Sequence, residues 1–154
     1  MRIQIVDDHE VLREGVKSLL AKLRPNWQVC GEATNGEEAI QLARDLKPDL
    51  IVMDISMPRM SGLEACSQIR KEGLDIPILI FTTHESERLA QEVRHAGAQG
   101  YVLKSQAARD LVLAIDTILD GGTFLGASQE SKPLPERKIK SDLLFRSTVF
   151  AFST

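Results

Sequence analysis

Three acidic residues, a hydroxyl and a lysine close short apolar runs in this chain, and their types and placement suggest phosphoryl chemistry. Asp7 and Asp8 end Ile3-Gln4-Ile5-Val6, and Asp54 ends Leu50-Ile51-Val52-Met53. Thr82 ends Ile78-Leu79-Ile80-Phe81, and Lys104 ends Tyr101-Val102-Leu103. Open α/β sheets bind ligands in the crevice outside the carboxyl ends of their strands. Gathered there, the carboxylates of Asp7, Asp8 and Asp54 would repel one another without a cation among them. Octahedral Mg2+ with mixed carboxylate and water ligands meets that need, and the backbone carbonyl of Ser56 could complete its shell. The metal would also neutralise the oxygens of an incoming phosphoryl group. An Asp oxygen would then be free to attack phosphorus, since carboxylates can be phosphorylated covalently. Lys104 is long enough to reach a phosphoryl oxygen as a point charge, and Thr82 can donate its hydroxyl to another.

Taken singly, each residue has a plainer explanation. Asp7 and Asp8 would favour the positive end of a following helix. Asp54 would be a turn residue before Pro58, Thr82 a strand ending, and Lys104 a solvated side chain. Their joint position at strand ends on one edge of the sheet favours the chemical reading.

Positioning these groups takes alternating strands and helices. The β-prone runs are Arg2–Val6, Gln28–Ala33, 50–53, Ile78–Thr82 and Gly100–Leu103. Between and after them, apolar residues recur at steps of three and four, the mark of one buried helix face. The series are Leu12, Val16, Leu19, Leu23; Ala39, Ile40, Ala43; Leu63, Cys66, Ile69; Leu89, Val93, Ala96; and Leu111, Ile115, Ile118. Asn35 with Glu38, and Ser61 with Glu64, fit capping boxes. Ser105 is placed to cap the fifth helix, and Gly73, Gly97 and Gly121 to end helices in the left-handed conformation. The expected fold is α/β: a flavodoxin-like, doubly wound parallel sheet of five strands with helices on both sides. The strand order 2-1-3-4-5 is borrowed from known folds of that class, not read from the sequence.

The alternation stops near Gly122. The remainder carries Pro133, Pro135 and the mixed charges Glu136-Arg137-Lys138-Ile139-Lys140, then the apolar Leu143-Leu144-Phe145 and Val149-Phe150-Ala151-Phe152. We expect a domain over 1–122 and, over 123–154, a linker-like stretch with an apolar, β-prone end. A length of 154 residues supports one ordinary core. The net charge of -3 and 5% aromatic content leave no footprint for nucleic acid. Cys30 and Cys66 read as packed free thiols, which fits a reducing cytoplasm. The first residues read as a strand, so no leader is expected, and no apolar run reaches membrane-spanning length.

The motifs Val6-Asp7-Asp8-His9, Asp54-Ile55-Ser56-Met57-Pro58 with Gly62, Thr82, and Gly100-Tyr101-Val102-Leu103-Lys104 together resemble the receiver domain of bacterial two-component response regulators. The resemblance covers residues 1–122. It implies that Asp54 accepts a phosphoryl group from a sensor histidine kinase, with Mg2+ on Asp7 or Asp8, Asp54 and the Ser56 carbonyl. It implies phosphoryl contacts from Thr82 and Lys104, and a switch in which Thr82 moves and Tyr101 turns inward. A second copy of the chain, joined on phosphorylation, is the further partner it implies. Leu12-Arg13-Glu14-Gly15, Gly31-Glu32-Ala33 and Gly121-Gly122-Thr123-Phe124 resemble the NarL/LuxR-type subgroup, which carries a helix-turn-helix output module and controls transcription. The remaining residues lack the periodicity and basic recognition helix of that module, so DNA binding is not expected of this chain. Ser105 follows Lys104 where some members have Pro, so no cis peptide is expected there. Ser56 and His84, two residues beyond Asp54 and Thr82, should flank the path of a hydrolytic water.

Two other functions compete. An aspartyl-phosphate phosphohydrolase usually places an acid/base Asp two residues after its nucleophile, where this chain has Ser56. An unphosphorylated adaptor would not need the complete acid–Thr–Lys set.

Overall fold

Alternate residues of each central strand point to opposite sides of the sheet, and the core divides accordingly. In a computed structural model, which describes residues 1–126, Ile51 and Met53 face one apolar cluster while Leu50 and Val52 face the other. Ile78 and Ile80 separate from Leu79 and Phe81 in the same way. The strands are β1 (Arg2–Val6), β2 (Gln28–Ala33), β3 (Leu50–Asp54), β4 (Ile78–Thr82), β5 (Gly100–Leu103) and β6 (Phe124–Leu125). All pair in parallel, in the order β2-β1-β3-β4-β5-β6. This is the expected order with one strand added. β6 lies beyond residue 122, where the periodic pattern ends. It seats closely on β5 because residue 100 is Gly: a Cβ there would stand 2.0 Å from the Phe124 carbonyl oxygen.

Five α-helices cover the two faces: α1 (Glu10–Leu23), α2 (Gly36–Leu46), α3 (Gly62–Lys71), α4 (Leu89–Ala96) and α5 (Ala107–Leu119). Residues of α2, α3 and α4 pack into one cluster, and those of α1 and α5 into the other. Every residue of β3 and β4 is buried, as the near-continuous apolar runs require.

The helix ends follow the expected chemistry with two corrections. Ser61 and Glu64 close a full capping box. Asn35 accepts from the Glu38 N–H, but the Glu38 side chain reaches past it to the N–H and hydroxyl of Thr34. Ser105 does not cap α5. Lys104–Gln106 wind into a 3-10 turn that runs straight into the helix, leaving Gln106 at the cap position without a side-chain bond. Gly73, Gly97 and Gly121 all carry positive φ, and no cis peptide occurs among the described residues. Cys66 is buried and Cys30 half-buried, both as free thiols. Burial pushes the Cys66 thiol up to about 11, and its Sγ donates to the Ala96 carbonyl at 3.2 Å. The tail expected over 123–154 lies outside the described residues from 127 onward.

Candidate functional site

Parallel pairing puts the C-terminal ends of β1, β3, β4 and β5 side by side, and carboxylate, hydroxyl and ammonium groups gather there. β1 runs out at Val6, so Asp7 and Asp8 fall on the edge. Asp54 is the last residue of β3, Thr82 the last of β4, and Lys104 follows the last residue of β5. Asp7 is 2% exposed, Asp54 3% and Thr82 6%. Lys104 stands between the two buried acids, its Nζ 2.8 Å from Asp7 Oδ2 and 3.2 Å from Asp54 Oδ1.

Asp54 carries the electrostatic cost of this arrangement. Burial first, and the neighbouring Asp7 second, push its carboxyl above the usual carboxylate range. Lys104 and the backbone N–H of Ser56, which donates to the carboxylate, oppose the shift. The loop after Asp54 is held close by Gly62, whose N–H donates to the Ile55 carbonyl at 2.8 Å. A Cβ on Gly62 would lie 1.9 Å from the Asp54 carbonyl oxygen, so a side chain there would force the loop off the site.

One residue of the cluster escaped the sequence reading. His9 brings its Nδ1 to 3.1 Å from Asp7 Oδ1 and 3.2 Å from Asp8 Oδ1. Its backbone N–H also donates to Asp7 Oδ1, at 2.9 Å. Asp7, Asp8, His9 and Asp54 thus offer ligand atoms all within 4.8 Å of one another. Position was the available signal, since His9 directly follows the acidic pair. Behind the cluster, Arg13 donates to the Asp7 carbonyl at 2.8 Å and pairs with Glu32 at 2.9 Å.

The donor set fits a hard divalent cation. Carboxylate oxygens dominate it, and Asp7 Oδ2 is buried without an aligned hydrogen-bond donor despite its ion pair with Lys104. A cation among the three acids would relieve both the repulsion and that unsatisfied oxygen.

The remaining expected residues are placed as follows. Ser56 and His84 are exposed, in the loops after β3 and β4. Tyr101 pairs with Ile80 across β4 and β5, and both belong to the cluster packed by α2, α3 and α4. Thr82, two residues on from Ile80, points to the same side. Tyr101 is 2% exposed, so its ring is already inside, and its hydroxyl donates to Glu85 Oε2 at 2.7 Å. Gly126 lies against that ring, where a Cβ would come within 2.6 Å of it.

An acidic cluster at the switch point of a sheet ordered 2-1-3-4-5, bridged by a lysine, is the arrangement of a receiver. The family model for the response regulator receiver domain matches residues 3–116, and the chain belongs to that family. It is 45% identical over 124 residues to the transcriptional regulatory protein YdfI of Bacillus subtilis, covering 80% of this chain and 57% of the relative. To the nitrate/nitrite response regulator protein NarL of Escherichia coli it is 42% identical over 123 residues, covering 80% and 56%. The chain therefore spans little more than half the length of these curated relatives. A LuxR-family two-component response regulator from Aurantimonas superposes with a TM-score of 0.79 at 37% identity, over 93% of this chain and 97% of that one. The signal receiver domain of a NarL from Mycobacterium tuberculosis gives 0.72 at 30% identity, over 78% and 96%. The chain is a response regulator receiver of the NarL/LuxR type, and these relatives are signalling and transcriptional regulators by name. No helix among the described residues is long and apolar enough to cross a membrane.

Proposed function

We propose that Asp54 is the phosphoacceptor of a two-component switch. The observation that carries this reading is the Lys104 ammonium set between two buried carboxylates, 2.8 Å from Asp7 and 3.2 Å from Asp54. A carboxylate oxygen of Asp54 forms the new P–O bond as the P–N bond of a phosphohistidine donor breaks. The electron pair of that bond leaves on the donor's imidazole, which takes up a proton. Mg2+ held by Asp7, Asp8, Asp54 and the Ser56 carbonyl would supply charge neutralisation for the phosphoryl oxygens. Lys104 gives up its bridge to Asp54 and pairs with a phosphoryl oxygen, while the Thr82 hydroxyl donates to another.

The readout starts from the buried Tyr101. Drawing Thr82 toward the phosphoryl group changes the packing on the face it shares with Tyr101, and the hydrogen bond to Glu85 is the contact free to exchange. The outcome is a changed surface around β4 and β5, a local charge event biasing a two-state element. A sensor histidine kinase is the donor, a second copy of the chain the partner of the phosphorylated state, and control of transcription the ancestral output. Ser56 and His84 tune hydrolysis of the acyl phosphate.

The test is intact mass after incubation with a small-molecule phosphoryl donor and Mg2+, beside Asp54→Asn and a chelated control. One phosphoryl adduct, absent from both controls, supports the switch. No adduct on folded protein sinks it and promotes the unphosphorylated adaptor.

A further inference from the structure

We infer that His9 is a metal ligand of the acidic site, adding an imidazole nitrogen that gives the site a preference for nickel- and cobalt-type divalent ions over magnesium. The inference rests on the metal site proposed above and specifies which ions it takes.

Geometry carries it. Neighbouring ligands on an octahedral ion with bonds of about 2.1 Å stand roughly 3.0 Å apart. The His9 Nδ1 lies 3.1 Å from Asp7 Oδ1 and 3.2 Å from Asp8 Oδ1, the spacing of two edges of such an octahedron. Opposite ligands would be about 4.2 Å apart; the ligand atoms of all four residues lie within 4.8 Å of one another, slightly wider than that span, so the side chains must draw in on the ion. The bond from the His9 N–H to Asp7 Oδ1 fixes the turn that aims the ring. Asp7 Oδ2, on a side chain 3% exposed, accepts no hydrogen bond although the Lys104 ammonium stands 2.8 Å away, so this carboxylate keeps capacity for a cation. The His9 side chain is 69% exposed, so an ion taking Nδ1 would release to water the proton that Nδ1 shares with the acids, with Nε2–H left in solvent.

Ligand chemistry sets the preference. Magnesium is hard, dehydrates reluctantly and gains little from imidazole. Nickel and cobalt bind imidazole well and stand higher in the general affinity order. Oxygen ligands alone already favour nickel somewhat, so the diagnostic quantity is how much of that preference His9 supplies.

The chain has 3 histidines, so tag-free protein carrying His84→Ala and His95→Ala keeps His9 as its sole imidazole. Calorimetric titration of that protein with Mg2+ and with Ni2+ is compared with the same protein carrying His9→Ala. The expected result is a loss of roughly tenfold or more in Ni2+ affinity and a change of less than about twofold for Mg2+. Spin-echo resonance of the Mn2+-loaded protein should show coupling to an imidazole nitrogen, lost in His9→Ala. Unchanged Ni2+ affinity with no nitrogen coupling, while Asp8→Asn still weakens Mg2+, overturns the role of His9 and leaves the metal site standing. Failure of the starting protein to bind either ion overturns both.

Discussion

Residues 50–53 and Asp54 are consecutive in one strand and equally hidden, yet they act in opposite directions. Leu50, Ile51, Val52 and Met53 are at most 1% exposed and Asp54 is 3% exposed. The first four drive folding by leaving water. The fifth raises the energy of the fold, because its charge is buried and faces Asp7, with Lys104 the close cation of the pair. The strand interiors supply stability that the strand ends use up, and the strained end is where a ligand has most to relieve.

The sharpest way to break that contrast is to weaken the supplying side. Leu79 is fully buried, and Leu79→Ala should cost about 3–4 kcal/mol in chemical denaturation. At the strand ends, Lys104→Met removes the cation between two buried acids and should cost about 3 kcal/mol in metal-free buffer at neutral pH. Combining it with Asp54→Asn should recover most of that loss, a coupling a double-mutant cycle would measure.

Asp54→Asn alone should move stability the other way, raising it by roughly 1 kcal/mol in metal-free neutral buffer, or a few degrees in thermal midpoint. The folded state holds the Asp54 proton more tightly than the unfolded chain does. Proton-linked stability is therefore fully present below the unfolded carboxylate range and is lost as pH rises through the elevated folded value. The advantage of the Asn variant should be small in acid, widen across that window and level off above it. Thermal melts at a series of pH values would show this, and a constant difference would remove the charge from the account. The smallest expected effect belongs to the exposed His84: His84→Ala should change the rate of dephosphorylation by about threefold. An unaltered lifetime of the phosphorylated protein would strike His84 from the hydrolysis path.

Much of the fold could be read from the chain because hydrophobic period and strand burial are local properties. The continuous runs at residues 50–53 and 78–81 read as strands covered on both faces, and they are. The added strand was not legible in this way. Phe124 and Leu125 are two residues with no period of their own, and their pairing depends on Gly100, distant in sequence. Ser105 looked like a cap because capping residues are recognised by type, but the 3-10 turn at Lys104–Gln106 takes the backbone into α5 without one. The clustering of the candidate residues was legible where strand ends mark them. The place of His9 was not, because it depends on how the ring turns back over Asp7 and Asp8 after the strand has ended.

The outer border of β2 is an open edge of the sheet. A long exposed strand edge invites another chain to add to the sheet. Here the partner of Ile3 is Val29 and the partner of Gln4 is Gly31, so Cys30 is an extra residue that breaks the ladder's rhythm. Glu32 places a charge on the same strand, locked to Arg13 and Lys17 of α1. At the opposite border β6 is only two residues long. Neither border of the described body therefore presents a long, regular edge for another chain to extend.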